Sequence, residues 1–259
     1  MNKTTIDFSA EGSLSKKIIQ LTFRESEDKG IFFQFPDSSR IKAEHKYITS
    51  TSRNTVLGNE KNQVCFVEHL LSIINILKLD KIVIEINGLE IPLLEGSGKE
   101  WFKLLKDWPH KEVLCPVELN ETFSVTDSSN PTRAVLFYPS DKFRISYLFK
   151  PPYNSENLWV SWSEEDSPEN LINARTFAPS FDHEMLGLKG KLLSYDENGF
   201  DLPLHSKDEP AWHKLLDFLG DLSLVGINPL SIKGHFISIM GGHGLNAAFT
   251  KELSDRLKL

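Results

Sequence analysis

The chain has 259 residues, 25% of them charged and 40% hydrophobic, with a formal net charge of −7. That composition is ordinary for a globular protein of one or two domains with a sizeable core. It contains no long basic run suited to nucleic acid and no apolar segment approaching the roughly 20 residues of a membrane span.

The polar N-terminus, residues 1–7, has no apolar stretch of signal-peptide length. Cys65 and Cys115 do not make a disulfide framework and read as reduced core thiols, so a cytoplasmic protein is expected. Residues 15–23 and 31–35, parted by the charged turn 27–30, read as a β-hairpin. Val67, Leu70, Leu71, Ile74 and Leu77 form a helical stripe. Residues 82–86 read as a strand and 99–108 as a helix. Residues 109–116, bounded by prolines, are the best domain boundary and divide 1–113 from 114–259. Beyond it, strands are expected at 121–126, 132–138, 143–149 and 158–162. A turn-rich stretch of weak periodicity covers 182–210. A helix around His213, a strand at 232–239 and a last helix from Leu245 complete the chain. Each half is strands followed by helices, which predicts two α+β domains of similar plan.

The chemistry concentrates in the helix around His213. His213 and Asp217 are four residues apart, so they share a face, with Asp221 one turn further on. An imidazole and a carboxylate so placed can share a cation, and the set suits zinc. Far upstream, Glu68-His69 supplies a second imidazole with a carboxylate beside it. Two histidines and one aspartate would leave a tetrahedral zinc one open position, as catalysis requires. Each feature also has a plainer reading. His213 and Asp217 can simply hydrogen-bond. Glu68 can be a helix-start carboxylate that complements the dipole, or a general base. Arg175-Thr176-Phe177 can be a helix cap with a buried ring. Gly241-Gly242-His243-Gly244 can be a flexible turn, or can present an imidazole at a helix N-terminus to developing negative charge.

Five segments occur in order: 67–70 (Val-Glu-His-Leu), 90–97 (Glu-Ile-Pro-Leu-Leu-Glu-Gly-Ser), 174–177 (Ala-Arg-Thr-Phe), 213–222 and 242–246 (Gly-His-Gly-Leu-Asn). With 51–58 (Thr-Ser-Arg-Asn-Thr-Val-Leu-Gly), they resemble the UDP-3-O-acyl-N-acetylglucosamine deacetylases, the zinc amidases of lipid A synthesis, over nearly the whole chain. The resemblance implies two α+β domains packed with helices between their sheets, with the site at the interface. It implies zinc, with iron possible, on His69, His213 and Asp217. It further implies Glu68 as general base, His243 as the protonated group at the oxyanion and leaving amine, and Asp221 as its partner. Thr176 would lie at the oxyanion position, Lys214 would help place the substrate, and Phe177 would pack on it. The substrate would be a UDP-linked, 3-acylated N-acetylglucosamine, and acetate would be released.

The chain departs from the family pattern on the substrate side. Residues 11–15 lack the usual glycine-histidine element, and Met240 stands where a basic residue associated with substrate phosphate is usual. Residues 149–153 lack a histidine-proline. Residues 178–210 are short and show no clear second strand for the insert that lines an acyl passage. Two other readings therefore stand beside deacetylation of the UDP-sugar: a paralogue acting on a different acylated amino sugar, and a non-catalytic zinc-stabilised binding module.

Overall fold

Four of the five residues from Ile82 to Ile86 are aliphatic. Such a strand needs cover on both faces and a partner on each edge. The computed structural model, which describes residues 4–109, 111–152 and 156–259, places it at the centre of a sheet. The first half runs β1 (Thr5–Glu11), β2 (Ile18–Glu25), β3 (Ile31–Gln34), β4 (Arg40–Lys42), β5 (Ile48–Ser50), β6 (Val56–Gly58) and β7 (Gln63–Cys65). Helix α1 (Val67–Ile76), β8 (Ile82–Ile86) and α2 (Lys99–Leu105) follow. The main sheet has the order β1-β2-β8-β3-β4, and β8 lies antiparallel to β2 and parallel to β3. The hairpin expected between residues 15–23 and 31–35 does not form. The strands exist, but the more apolar β8 takes the central place between them.

The second half contains β9 (Val117–Glu118), β10 (Phe123–Thr126), β11 (Ala134–Tyr138), β12 (Phe143–Phe149), β13 (Leu158–Ser163) and α3 (Glu169–Asn173). It continues with β14 (Phe177–Pro179), α4 (Ser180–Met185), β15 (Leu193–Asp196), β16 (Gly199–Phe200), α5 (Glu209–Leu222), β17 (Ile232–Ile239) and α6 (His243–Leu257). Its main sheet follows β10-β11-β17-β12-β13, with β17 antiparallel to β11 and parallel to β12. This repeats the order of the first sheet, with short β9 added in parallel beside the start of β17. In each half a helix precedes the central strand and another follows it. In each half an insertion falls between the fourth strand and the first of those helices: β5–β7 in one, α3–β16 in the other.

The fold is α+β, with its helices enclosed by two sheets. Every residue of α1 from Val67 to Asn75 is buried, and so is every residue of α5 from Leu215 to Leu222, as helices covered all round must be. One continuous core joins Phe23 and Ile84 of the first sheet, Phe137 and Phe236 of the second, and Leu70, Leu219 and Phe249 of the helices. The two central helices meet closely. Ser72 Oγ donates to the Leu216 carbonyl at 2.7 Å. A Cβ on Gly220 would sit 2.1 Å from the Glu68 carbonyl oxygen, so only glycine lets α5 approach α1 there. Both neighbours are backbone and neither can swing away. Gly220→Ala should therefore cost stability at or above the ~1–3 kcal/mol typical of overpacking. It should also weaken metal uptake, because the displaced Glu68 adjoins His69. Thermal unfolding and metal titration check this, and an unchanged Tm would show that the helices part freely.

The second insertion corrects an expectation. Residues 178–210 do contain the missing strand: β14 and β15 pair in parallel across α4, and β16 folds back on β15. Four residues are too few for a visible alternation, so the sequence concealed it. Leu188, Leu192 and Leu193 are buried and anchor the unit. Cys115 is exposed and Cys65 only half-buried, so neither is a core thiol. Among the described residues, no helix is long and apolar enough to cross a membrane. Residues 1–3 and Tyr153, invoked above, lie outside the described residues.

Candidate metal centre and active site

Three elements present the site. Helix α1 opens with Glu68 and His69. Its preceding residue, Phe66, has a φ of 61°, and its N–H donates to Asn54 Oδ1 at 3.3 Å. A non-glycine residue in the left-handed region carries strain, which fixes the angle at which the chain enters the helix. Helix α5 has Pro210 in its first turn, where the missing N–H costs nothing. It presents His213, Asp217 and Asp221 at successive turns. Helix α6 begins at His243, two residues earlier than expected, after an extended Gly242.

His69, His213 and Asp217 converge, each with a ligand atom within 4.8 Å of the others. Asp217 Oδ1 lies 3.2 Å from His69 Nε2 and 3.3 Å from His213 Nε2. Despite that closeness, Oδ1 accepts no well-aligned hydrogen bond, although it is buried. The His213 Nδ1 is 3.3 Å from the Ala174 carbonyl, which orients the ring and turns Nε2 inward. Burial pushes His213 down to about 3, against the opposing pull of Asp217, so the imidazole is neutral. Two imidazole nitrogens and a carboxylate oxygen thus face one another in a buried space. A divalent cation fits this donor set.

The other carboxylate oxygen is occupied. Lys214 Nζ donates to Asp217 Oδ2 at 2.8 Å. Burial would lower Lys214, but Asp217 and then Tyr147 outweigh it and hold the ammonium charged. Lys214 Nζ also stands 5.4 Å from the Phe177 ring centroid, and that ring meets the His213 ring at 5.8 Å. Phe149, Tyr195 and Phe200 surround Phe177 at 5.5, 6.0 and 5.8 Å. Thr176 is fixed through its backbone, its N–H donating to Gly96 in the 90–97 segment at 2.7 Å. It adjoins the cluster through Phe177, whose ring meets that of His213.

A second group comprises Glu68, Asp217 and His243, again within 4.8 Å of one another. His243 Nδ1 lies 3.0 Å from Asp221 Oδ2, and its Nε2 is 4.0 Å from Asp217 Oδ2. Burial would lower His243, but Asp221, then Glu68 and Asp217, push it up to about 9. Burial raises Glu68 in turn, against His243 and His69. The structure therefore gathers a carboxylate and a protonated imidazole on one side of the cation-binding donors.

Sequence reasoning missed the residue that ties this group together. Thr55 is 1% exposed. Its N–H donates to Glu68 Oε2 at 3.1 Å, its hydroxyl donates to Asp221 Oδ1 at 2.5 Å, and the hydroxyl lies 3.3 Å from His243 Nδ1. It comes from the first insertion, two residues after Arg53 with its φ of 68°. Its only sequence signal was membership of the 51–58 segment. Asn246 completes the cradle, Nδ2 to Asp221 Oδ2 at 2.9 Å. Thr55→Val keeps the shape and removes the hydroxyl. It should cut kcat roughly tenfold or more, the usual scale for a hydrogen bond to a charged group, with metal content unchanged. Wild-type turnover by Thr55→Val would show that Asp221 and His243 need no such support.

The departures find physical counterparts. The loop that lacks the glycine-histidine element is held by buried Glu90, which accepts from Leu14 and Ser15 N–H at 2.9 and 2.8 Å. Met240 has a φ of 48°, and its carbonyl accepts from Arg133 Nε at 2.9 Å. Arg133 and Arg53 line a cavity of about 530 Å³ with Gly242, His243 and Gly244. A guanidinium from the turn before β11 thus stands at the loop where the expected basic residue is missing.

A buried donor set able to hold a cation, flanked by a carboxylate and a charged imidazole, is an arrangement that suits metal-assisted hydrolysis, here on a duplicated α+β scaffold. The chain belongs to the UDP-3-O-acyl N-acetylglycosamine deacetylase (LpxC) family, whose model matches residues 3–255. It is 32% identical to the UDP-3-O-acyl-N-acetylglucosamine deacetylase of Aquifex aeolicus, over 96% of this chain and 88% of that protein. It is 30% identical to the protein of the same name from Nitratidesulfovibrio vulgaris, over 100% and 90% of the two chains. With the Campylobacter jejuni protein of that name it shares 31% identity over 86% and 79%.

Proposed function

We propose that this chain hydrolyses the N-acetyl group of a UDP-3-O-acyl-N-acetylglucosamine, releasing acetate, in the cytoplasmic steps of lipid A synthesis. The observation that carries this reading is the convergence of Asp217 Oδ1 with two imidazole Nε2 atoms, beside Glu68 and His243, in a chain of this family. Residues 1–113 and 114–259 are the two halves that meet at the site, the first contributing Glu68, His69 and Thr55, the second the remainder. The free thiols suit a reducing compartment.

Held by His69, His213 and Asp217, a zinc ion, or Fe(II) on the same donors, supplies Lewis acidity toward the amide carbonyl and toward a water. Glu68 takes a proton from the attacking water. The C–N bond breaks, the oxygen of water ends in acetate, and the amine nitrogen gains a proton. His243, kept charged by Asp221, delivers that proton and faces the oxygen that becomes negative. Thr55 fixes the distance between base and acid. Thr176 lies toward the oxyanion, while Lys214 and Phe177 place the sugar. Arg133, Arg53 and the N-terminus of α6 offer positive charge to a diphosphate. The ring cluster around Phe177, with β14–β16, offers a wall for the acyl chain.

This reading gives each substrate group a measurable weight. kcat/KM should rise with acyl length by about 0.8 kcal/mol, roughly fourfold, for each CH₂ buried. Removing UDP should lower it, and Arg133→Ala should erase much of that difference while leaving metal content intact. A substrate series measured by acetate release checks both. Equal turnover with and without UDP would instead favour a different acylated amino sugar.

A further inference from the structure

Arg175 and Glu209 take no part in the reaction above, yet one peptide group links them to the metal centre. Glu209 opens α5, and His213 follows it by one turn on the same face. The peptide between Ala174 and Arg175 lies across these two side chains. Its N–H donates to Glu209 Oε1 at 3.1 Å, and its carbonyl stands 3.3 Å from His213 Nδ1. The N–H and C=O of a trans peptide point in opposite directions, so a single unit bridges carboxylate and imidazole. Ala174, Glu209 and His213 are all buried.

The carboxylate is firmly held. Arg175 Nε donates to Glu209 Oε1 at 2.8 Å and Arg175 Nη2 to Oε2 at 3.0 Å, a two-pronged pair. The His205 N–H donates to Oε2 at 2.6 Å, and Arg175 Nη2 also donates to the Pro203 carbonyl at 2.8 Å. Burial would raise Glu209, but Arg175 and the His205 N–H outweigh it and hold the carboxyl below its ordinary value. A buried ion pair is a poor way merely to fasten a helix start, since apolar residues of like volume often do as well. Its charge acts on what it touches. A carboxylate that accepts from a peptide N–H polarises that peptide and makes its carbonyl a stronger acceptor. That carbonyl is the one facing His213 Nδ1. A proton held on Nδ1 leaves the lone pair of Nε2, which faces Asp217, for a cation.

We infer that Glu209, clamped by Arg175, is a positioning residue for the metal centre. Through the Ala174–Arg175 peptide it keeps the His213 proton on Nδ1 and strengthens Nε2 as a metal ligand. The inference rests on the ligand role of His213 proposed above.

The test is zinc affinity, measured by competition with a chelator, alongside thermal unfolding of the metal-free protein. Glu209→Gln keeps the shape and removes the charge. It should weaken zinc binding roughly tenfold or more, the usual scale for loss of a group behind a ligating histidine. In the zinc-loaded protein it should also speed exchange of the His213 Nδ1 proton, read from long-range ¹H–¹⁵N spectra. The double variant Arg175→Met with Glu209→Leu leaves no lone charge and serves if Glu209→Gln does not fold; it should lose affinity to the same degree. A purely structural clamp would lower the Tm of the metal-free variants and leave zinc affinity and Nδ1 exchange at wild-type values, which would overturn the inference. So would a zinc-loaded wild-type protein whose His213 carries its proton on Nε2. His213→Ala separates this inference from the reading beneath it. If His213→Ala loses zinc while Glu209→Gln binds it as the wild type does, His213 is a ligand and Glu209 is not its support. If His213→Ala keeps zinc, the ligand assignment itself falls, and this inference with it.

Discussion

Replacing His213 with alanine should strip the protein of most of its bound metal and reduce turnover by roughly 10³-fold or more. Each tenfold of rate is about 1.4 kcal/mol, and a catalytic cation supplies several. His213 is 1% exposed, and its Nε2 faces Asp217 Oδ1 at 3.3 Å with nothing else to replace it. Removing it leaves His69 and Asp217, a pair too few to hold zinc tightly. Asp217→Asn should do the same with less loss of packing, because an amide keeps the shape and gives up the charge. Elemental analysis of the purified variants checks both. Full occupancy in His213→Ala would show that the ligand set is wrong.

Glu68→Ala and His243→Ala should behave in the opposite way. Each should keep its metal and lose rate by the ~10²–10⁴-fold typical of a general acid or base. The pH dependence of kcat/KM separates the two. Glu68 acts ionised, and burial raises its pKa, so activity falls as pH drops through that raised value. His243 acts protonated and is pushed up to about 9, so activity falls as pH climbs through that region. The profile is a bell. His243→Ala should lose the alkaline limb and Glu68→Ala the acid limb. A Glu68→Ala enzyme with wild-type rate, or a His243→Ala enzyme with an unchanged alkaline limb, would remove the residue from its role.

What could be read from the chain follows from how local each signal is. The His213–Asp217–Asp221 register depends only on helical spacing, and the strand at 232–239 and the stripe of α1 depend only on periodicity. All three were legible. The pairing of β2 with β8 rather than β3 was not, because partner choice depends on a strand far along the chain, Glu25 pairing with Ile82, that outcompetes a local turn. Thr55 carried no chemical signal of its own. Its three contacts reach across 13, 166 and 188 residues of sequence, and only the fold brings them together. Arg133 was invisible for the same reason, because its place beside Met240 is set by the pairing of β11 with β17. Strand β15 was too short to show alternation. The resemblance to a family supplied what periodicity could not, the expectation that His69 and His243 serve one site.

The most direct measurement is acetate release by the purified, metal-loaded protein from a UDP-linked, 3-acylated N-acetylglucosamine, before and after the metal is removed by chelation and restored with zinc. The expected result is one acetate per free amine formed, loss of activity with loss of about one metal ion per chain, and recovery on zinc addition. Undiminished release of acetate from metal-free protein would contradict the account, as would a protein that holds the metal at His69, His213 and Asp217 yet releases no acetate from this substrate.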